Sequence, residues 1–225
     1  MSIEVVRFRY TVHMPKKPLH PAMQHLKKVD PVLHAAALPH HDAIVSATGH
    51  RRGYKQLFAA LAGSIVSQQL STKAADTIWA RLTLACKGDV TPEAILKLRA
   101  PTMRKAGLSA AKSKSLKELA RSVTDGSVDF KKLKKMPEED AIASLSLVWG
   151  VGRWTAEMFL MFALEREDVF SPGDLGLVRA IESLYGVPKD SPKEVYLAIA
   201  AKWSPHRSFA SRVLWRTRDV KVAGN

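Results

Sequence analysis

Two short segments carry the residues whose types and spacing suit chemistry. Gly150 and Gly152 bracket one small apolar residue, a pattern typical of a tight turn between helices. Such a turn brings backbone N–H groups close to a phosphate. Further along, Asp174 follows the break at Pro172-Gly173 and begins the next apolar segment. The turn is suited to binding the phosphates of a DNA backbone, and the carboxylate is suited to stabilising positive charge that develops on a carbon atom. Together they predict an enzyme acting on DNA.

The two segments resemble the helix-hairpin-helix DNA glycosylases that end in a Gly/Pro-rich turn and an aspartate. Within that superfamily the chain is most similar to the 3-methyladenine DNA glycosylase II (AlkA) branch, which excises alkylated bases. The resemblance runs from about Tyr54 to Trp215. Its motifs are Gly152-Arg-Trp-Thr-Ala156, Ser67-Gln-Gln-Leu-Ser71, Gly107-Leu-Ser109 and Trp203-Ser-Pro-His-Arg207-Ser208.

The composition agrees with a partner that is a polyanion. The 225 residues carry a net charge of +14 and a pI near 10.0, which favours nucleic acid first and an anionic membrane second. A solvated basic surface without a ligand is the alternative. The start of the chain has no secretion-signal pattern and no apolar run is long enough to span a bilayer. These features predict a cytoplasmic protein, associated with the nucleoid if the source is bacterial.

A single cysteine, Cys86, limits the cofactors. It excludes an internal disulfide and suits a reducing compartment. Several relatives in the superfamily hold an iron–sulfur cluster on four cysteines, and one cysteine cannot build that site. The sequence therefore predicts no iron–sulfur cluster.

The pattern of apolar residues predicts an all-α fold of two helical lobes with a cleft between them. Residues 1–18 alternate apolar and basic and predict a short arm or strand, or a reduced N-terminal domain. Residues 19–225 form the glycosylase region, with about 60–165 as the central lobe and 19–59 plus 166–225 as the second. Thr91, Ser109 and Ser191 are predicted N-caps. The predicted helices are Tyr54–Leu70, Thr72–Ala85, Pro92–Leu98, Ala110–Val123, Glu138–Leu147, Arg153–Leu164, Leu175–Leu184, Pro192–Trp203 and Arg207–Arg216.

Asp174 is the predicted catalytic residue. Cleavage of an N-glycosidic bond builds oxocarbenium character at the sugar C1′, which a nearby carboxylate stabilises, and the carboxylate also suits orienting or deprotonating the attacking water. The alternative is that Asp174 only caps the following helix, and the two roles are compatible. The resemblance to the family favours catalysis.

The resemblance also implies a monofunctional hydrolase. Trp154 occupies the position at which bifunctional relatives place a lysine nucleophile, and tryptophan cannot form a Schiff base. Trp154 and Trp215 match aromatic positions that line the alkylpurine pocket, where cationic bases stack on tryptophan. Met158, one turn beyond Trp154, indicates an open pocket. Without the resemblance, packing in the core is the better interpretation of both tryptophans.

By the same resemblance, the hairpin holds the phosphates that flank the lesion, and a monovalent cation (Na⁺ or K⁺) bridges its carbonyls to phosphate when DNA is bound. By position the carbonyls are those of Ser146, Val148 and Val151. Trp149 stands where the family usually has proline, and its ring either lies over a sugar or packs inward. The predicted DNA-binding hairpin comprises Val148, Trp149, Gly150, Val151, Gly152, Arg153 and Thr155.

The segment Ser67–Ser71 matches the family loop that fills the gap left by a flipped base. Gln69 falls at the wedge position, with Leu70 as the alternate, and an exposed helix terminus is the competing interpretation. Gln68, Ser71 and Arg207 are further candidate DNA contacts. The lysines at 112, 114, 117 and 131–135 are interpreted as solvated faces, some of them touching phosphates nonspecifically.

These features predict a DNA glycosylase that flips alkylated bases (3-methyladenine, 7-methylguanine and related) out of duplex DNA and begins base excision repair as a monomer. One alternative is a superfamily glycosylase for mismatched or oxidised bases, with or without lyase activity. The other is a non-catalytic, structure-specific DNA-binding module.

Overall fold

A computed structural model describes residues 19–48 and 52–222, and within these residues the fold is all-α, as predicted. The predicted N-terminal arm lies outside the described residues. The helices are α1 (Pro21–Val29), α2 (Pro31–Ala37), a 3₁₀ turn (Leu38–His40), α3 (His41–Ser46), α4 (Tyr54–Ser67), α5 (Thr72–Ala85), α6 (Pro92–Lys97), α7 (Ala100–Ala106), α8 (Ala110–Thr124), α9 (Phe130–Leu133), α10 (Glu138–Ser146), α11 (Arg153–Phe162), α12 (Leu175–Tyr185), α13 (Lys193–Ala201) and α14 (Arg207–Val222).

The helices form two compact units. The continuous unit lies between positions 50 and 171 and holds α4–α11. The split unit combines the described residues before position 49 with those from Pro172 onward, and holds α1–α3 and α12–α14. None of the described helices combines the length and the hydropathy that a bilayer crossing requires.

The continuous unit is built around α4 and α8. Helix α8 packs against α6 and α4, while α11 packs against α10 and α4. The unit's core is apolar and fully buried at positions spaced three or four apart along these helices, which is the amphipathic pattern from which the helices were predicted. Its members include Phe58, Leu61, Ile65, Leu116, Leu119, Phe159 and Leu160.

The split unit is organised around a buried carboxylate, Asp30. One oxygen of Asp30 caps α2 by accepting the N–H of Leu33 at 2.9 Å. The other accepts the Tyr185 hydroxyl at 2.7 Å and the indole N–H of Trp203 at 2.8 Å. Burial and this bond to Asp30 raise the pKa of Tyr185. Trp203 is fully buried, so this motif residue belongs to the core of the split unit.

The predictions need correction at two helices and one cap. The helix Phe130–Leu133 was not predicted, because four residues are too few to establish a helical period. The helix Ala100–Ala106 was not predicted either, since Pro101 resembles a break in the sequence although proline is tolerated in the first turn of a helix. Ser191 is not an N-cap: α13 starts after Pro192, and the Ser191 hydroxyl donates to the carbonyl of Pro188. Thr91 and Ser109 are confirmed as caps of α6 and α8.

Candidate active site and nucleic-acid interface

Asp174 lies at the N-cap of α12 in the split unit. Its Oδ1 accepts the N–H of Leu177 at 2.9 Å, so the capping interpretation is confirmed. The same oxygen accepts the indole N–H of Trp215 at 3.0 Å, from α14. The two bonds hold the carboxylate in one orientation, from its own helix and from α14. Asp174 is half-buried, and a structural cap therefore presents a charged group at the protein surface.

Gly176, in the first turn of α12, is what allows Trp215 to approach Asp174. A Cβ at Gly176 would lie 2.8 Å from Asp174 Oδ1, 3.1 Å from Trp215 Cδ1 and 3.1 Å from Arg218 Nη1. A glycine inside a helix costs about 1 kcal/mol relative to alanine. A glycine at this position therefore signals a close approach, although the sequence alone does not identify the group that approaches.

The hairpin between α10 and α11 has a geometry that requires glycine at one position. Gly150 has φ +87°, and a Cβ there would lie 2.2 Å from Ser115 Oγ on α8. The turn is closed by the N–H of Val151, which donates to the carbonyl of Val148 at 2.9 Å. Gly152 caps α11 in extended backbone with open space at its Cβ position. The first glycine therefore shapes the turn, and the second leaves the start of α11 accessible.

The exposed side chains of the hairpin are apolar or aromatic, and a lysine from α8 lies over one of them. The side chains of Val148 and Val151 are buried, so these residues offer only backbone groups. Trp149 is 46% exposed, and Leu147 beside it is also exposed. The ammonium of Lys114, on α8, lies 4.4 Å from the centroid of the Trp149 ring, in cation–π range. Trp149 therefore does not pack inward.

Arg153 opens α11 and is held by two carboxylates. Its guanidinium donates to Glu157 and, through two nitrogens, to Glu139. The hydrogen bond to Glu139 is the main cause that raises the pKa of Arg153. Glu157 is buried and also accepts the hydroxyl of Ser171. Arg153 thus compensates a buried charge inside the protein, while its predicted contact with DNA stays a prediction.

The predicted pocket residues have different environments. Trp154 is 50% exposed on the first turn of α11, so the core-packing interpretation of this tryptophan is wrong. Met158 and Trp215 are partly buried. Trp154 and Met158 belong to the continuous unit, and Trp215 belongs with Asp174 to the split unit. Arg207 is the first residue of α14, and its carbonyl accepts the hydroxyl of Ser211.

The predicted wedge residues form an exposed tip between α4 and α5. Helix α4 ends at Ser67 rather than at Leu70, because Gln68 leaves the helical region and Gln69 adopts φ +56°. Gln69 and Leu70 are exposed, and Ser71 caps α5 by accepting the N–H of Ala74. Positive φ is uncommon for residues other than glycine and often marks a functional position.

Gln68 joins this tip to the hairpin. Its side-chain amide donates to the carbonyl of Gly150 at 3.0 Å and to the hydroxyl of Thr155 at 3.3 Å. Thr155 was predicted among the DNA-binding residues of the hairpin, but its side chain is buried and packs inside the protein. The predicted DNA contact of Gln68 is untested, but its amide faces the hairpin.

The interpretation of Lys112 and Lys117 as solvated faces is wrong. The ammonium of Lys112 donates to the carbonyls of Val66 and Gln68, and that of Lys117 donates to the carbonyls of Leu96 and Leu98. Each lysine satisfies carbonyls at a helix end, where helices leave acceptors unpaired. Burial lowers the pKa of both. Sequence alone does not reveal these contacts, because each joins two separate helices.

The all-α fold, the glycine hairpin and the capped aspartate define a helix-hairpin-helix protein of the DNA-repair type. The family model described as "HhH-GPD superfamily base excision DNA repair protein" matches residues 62–205, and the chain belongs to this family.

The chain is also similar in sequence or structure to individual members of the DNA-3-methyladenine glycosylases. It is 34% identical over 169 residues to DNA-3-methyladenine glycosylase 1 of Schizosaccharomyces pombe, which covers 74% of this chain and 74% of the relative. A crystal structure of DNA-3-methyladenine glycosidase from Bacillus halodurans matches with a TM-score of 0.78 and 30% identity, over 91% of this chain and 92% of the other. S. pombe 3-methyladenine DNA glycosylase (Mag1) in complex with abasic DNA matches with a TM-score of 0.68 and 30% identity, over 89% of this chain and 97% of the other.

Proposed function

We propose that this protein is a monofunctional DNA glycosylase for alkylated bases that initiates base excision repair on duplex DNA. The observation that carries the proposal is Asp174 itself, a surface carboxylate fixed by α12 and Trp215 in a chain of the HhH-GPD family. The similarity to DNA-3-methyladenine glycosylases and to a DNA-3-methyladenine glycosidase supports alkylated purines as the substrate class.

The chemistry follows from the charge of Asp174. The base leaves with the bonding electrons of the N-glycosidic bond, and positive charge develops at C1′ of the sugar. The carboxylate stabilises that charge and orients a water molecule for attack on C1′. The attacking water gives its proton to a general base or to the solvent. Because alkylation at a ring nitrogen makes the base cationic and a good leaving group, little further help is needed. The two N–H donors fix the direction in which the carboxylate faces.

The damaged base is recognised by aromatic stacking. The half-exposed ring of Trp154 and the partly buried Trp215 and Met158 are proposed to contact the flipped base. A cationic alkylpurine is attracted to an electron-rich indole face more strongly than a neutral base is. In this proposal 3-methyladenine, 7-methylguanine and related alkylated bases are the substrates, and the protein acts as a monomer.

Strand cleavage is not part of the proposed activity. A lyase forms a Schiff base through an amine, and the corresponding position holds Trp154. Of the lysines near the hairpin, Lys112 already donates to two carbonyls and Lys114 stacks on Trp149. The proposed product is therefore an intact strand with an abasic site.

The hairpin is proposed to hold phosphate through the backbone amides at the start of α11. The carbonyls of Ser146, Val148 and Val151 would hold a Na⁺ or K⁺ ion there when DNA is bound. Carbonyl oxygens suit such a hard cation, and the Val148 carbonyl, which accepts one N–H, keeps a second lone pair. The ion would supply positive charge that attracts a phosphate oxygen.

The test is base release from methylated duplex DNA, with the released base identified, for the wild type and Asp174→Asn side by side. Asparagine keeps an oxygen that accepts the two N–H bonds but removes the charge. Release of methylpurines by the wild type alone, with both proteins binding DNA, is expected. Normal turnover by Asp174→Asn would rule out the proposed chemistry. DNA binding by the wild type without release of any base would instead indicate a binding module.

A further inference from the structure

We infer that Gln68 and Lys112 are positioning residues that couple the exposed tip Gln69–Leu70 to the phosphate-binding hairpin. The inference rests on the proposed function, in which the hairpin contacts the DNA backbone, and on the predicted wedge role, in which the tip enters the base stack. In this inference, two residues that take no part in the chemistry fix the position of the tip relative to the hairpin.

Gln68 contacts both sides of the joint. Its side-chain amide donates to the carbonyl of Gly150, at the turn of the hairpin, and to the hydroxyl of Thr155 at the start of α11. Because Gln68 directly precedes Gln69, any shift of the hairpin carbonyl is passed to the tip through one side chain. Without an amide at this position, the Gly150 carbonyl loses this donor, and the tip loses its hydrogen bond to the hairpin.

Lys112 fixes the backbone of the same residue. Its ammonium donates to the carbonyl of Gln68 at 2.8 Å and to that of Val66 at 2.7 Å. These carbonyls lie at the end of α4, where the chain turns out of the helix. Gln68 is thus held at its carbonyl by α8 and at its side chain by the hairpin, and Gln69 follows with φ +56°. A conformation this unfavourable persists only when its surroundings impose it.

A single face of α8 supports both parts. Ser115 lies three residues after Lys112, which places the two on the same side of the helix. Ser115 Oγ occupies the space that a Cβ at Gly150 would need, so the hairpin is seated directly on α8. The tip is seated on the same helix through Lys112. Hairpin and tip therefore share one rigid support, and contact of the hairpin with DNA sets the position from which the tip inserts.

The test compares Gln68→Met and Lys112→Met with Lys117→Met. Methionine is close to both residues in length and lacks donors. Lys117 is a matched control because it lies on the same helix and also donates to two carbonyls, those of Leu96 and Leu98, at the end of α6. All three variants lose a similar structural contact, and only the first two lose a contact to the residue that joins hairpin and tip.

The readout is the single-turnover rate of base release from 7-methylguanine paired with cytosine, and from the same lesion opposite an abasic site. The second lesion needs no pairing broken, so insertion of the tip matters less there. For Gln68→Met and Lys112→Met the ratio of the two rates is expected to fall about tenfold, while Lys117→Met keeps the wild-type ratio. An unchanged ratio in the first two variants, or an equal fall in all three, would overturn the inference while leaving the proposed function intact.

A second measurement keeps the inference testable if the wild type releases no base and the proposed function fails. Fluorescence of 2-aminopurine beside an abasic site reports unstacking when the protein binds. Wild-type protein and Lys117→Met are expected to raise the fluorescence equally, and the other two variants to raise it less at saturating protein. Equal signals from all four proteins would overturn the inference independently of any catalysis.

Discussion

Trp215 donates its indole N–H to the same oxygen of Asp174 that caps α12. The carboxylate is therefore fixed from two directions, by the backbone of its own helix and by a side chain of α14. In the proposed chemistry, a freely rotating carboxylate would have to be ordered in each catalytic cycle, whereas Asp174 is oriented in advance. The relationship makes Trp215 a candidate for two tasks at once, contact with the flipped base and orientation of the carboxylate.

Replacement of Trp215 by phenylalanine separates these two tasks. Phenylalanine keeps an aromatic face for the base but lacks the N–H donor. Hydrogen bonds to charged groups contribute about 1.5–3 kcal/mol, so we expect kcat to fall by about tenfold or more with a smaller change in KM. Steady-state kinetics on methylated DNA measures both. A change confined to KM would show that Trp215 acts only in binding the base.

Gly176→Ala is expected to reduce activity without reducing stability. A methyl group there meets Asp174 Oδ1 and Trp215 within 3.1 Å and forces the two apart. Alanine nevertheless favours the helix by about 1 kcal/mol, so the Tm should not fall in proportion to the activity. Gly173→Ala is the matched control, because nothing lies within 4 Å of its Cβ position. Comparable activity losses in both variants would contradict the role assigned to Gly176.

The two hairpin glycines should respond differently to alanine. Gly150→Ala places a Cβ at φ +87° and against Ser115, and we expect a loss of about 2 kcal/mol or more in the free energy of unfolding. Gly152→Ala meets open space in extended backbone and should cost less, about 1 kcal/mol or below, because alanine is a poorer N-cap than glycine. Denaturant unfolding of both variants measures the difference. A hairpin equally tolerant at both positions would contradict the described geometry.

Trp149 and Lys114 are expected to contribute to DNA binding by different physical means. Lys114→Met should lower the slope of log K against log salt concentration by about 0.9, if the ammonium contacts one phosphate. Trp149→Ala should weaken binding at every salt concentration without changing the slope, because the ring carries no charge. Binding titrations of duplex DNA at several salt concentrations test both. An unchanged affinity in Trp149→Ala would show that the exposed ring does not contact DNA.

The sequence was sufficient for those features that are local in the chain. The helical period, the caps at Thr91 and Ser109, the glycine turn and the position of Asp174 at a helix start all depend on residues a few positions apart. What could not be predicted depends on packing between distant segments. Lys112 and Lys117 have the appearance of surface charges until α8 is placed beside the ends of α4 and α6. Likewise, the close approach at Gly176 involves Trp215, which lies on another helix, so this contact could not be predicted from the neighbouring residues.

The division of the split unit has a consequence for synthesis of the protein. Residues 50–171 are contiguous, so all the segments of that unit have been synthesised before α12 begins. The other unit needs α2 from early in the chain and α14 from its far end, which pack together. Asp174 gains the Trp215 bond only when α14 is in place. A chain that ends before α14 would thus keep all the residues of the hairpin unit but would lack the side chain that orients Asp174.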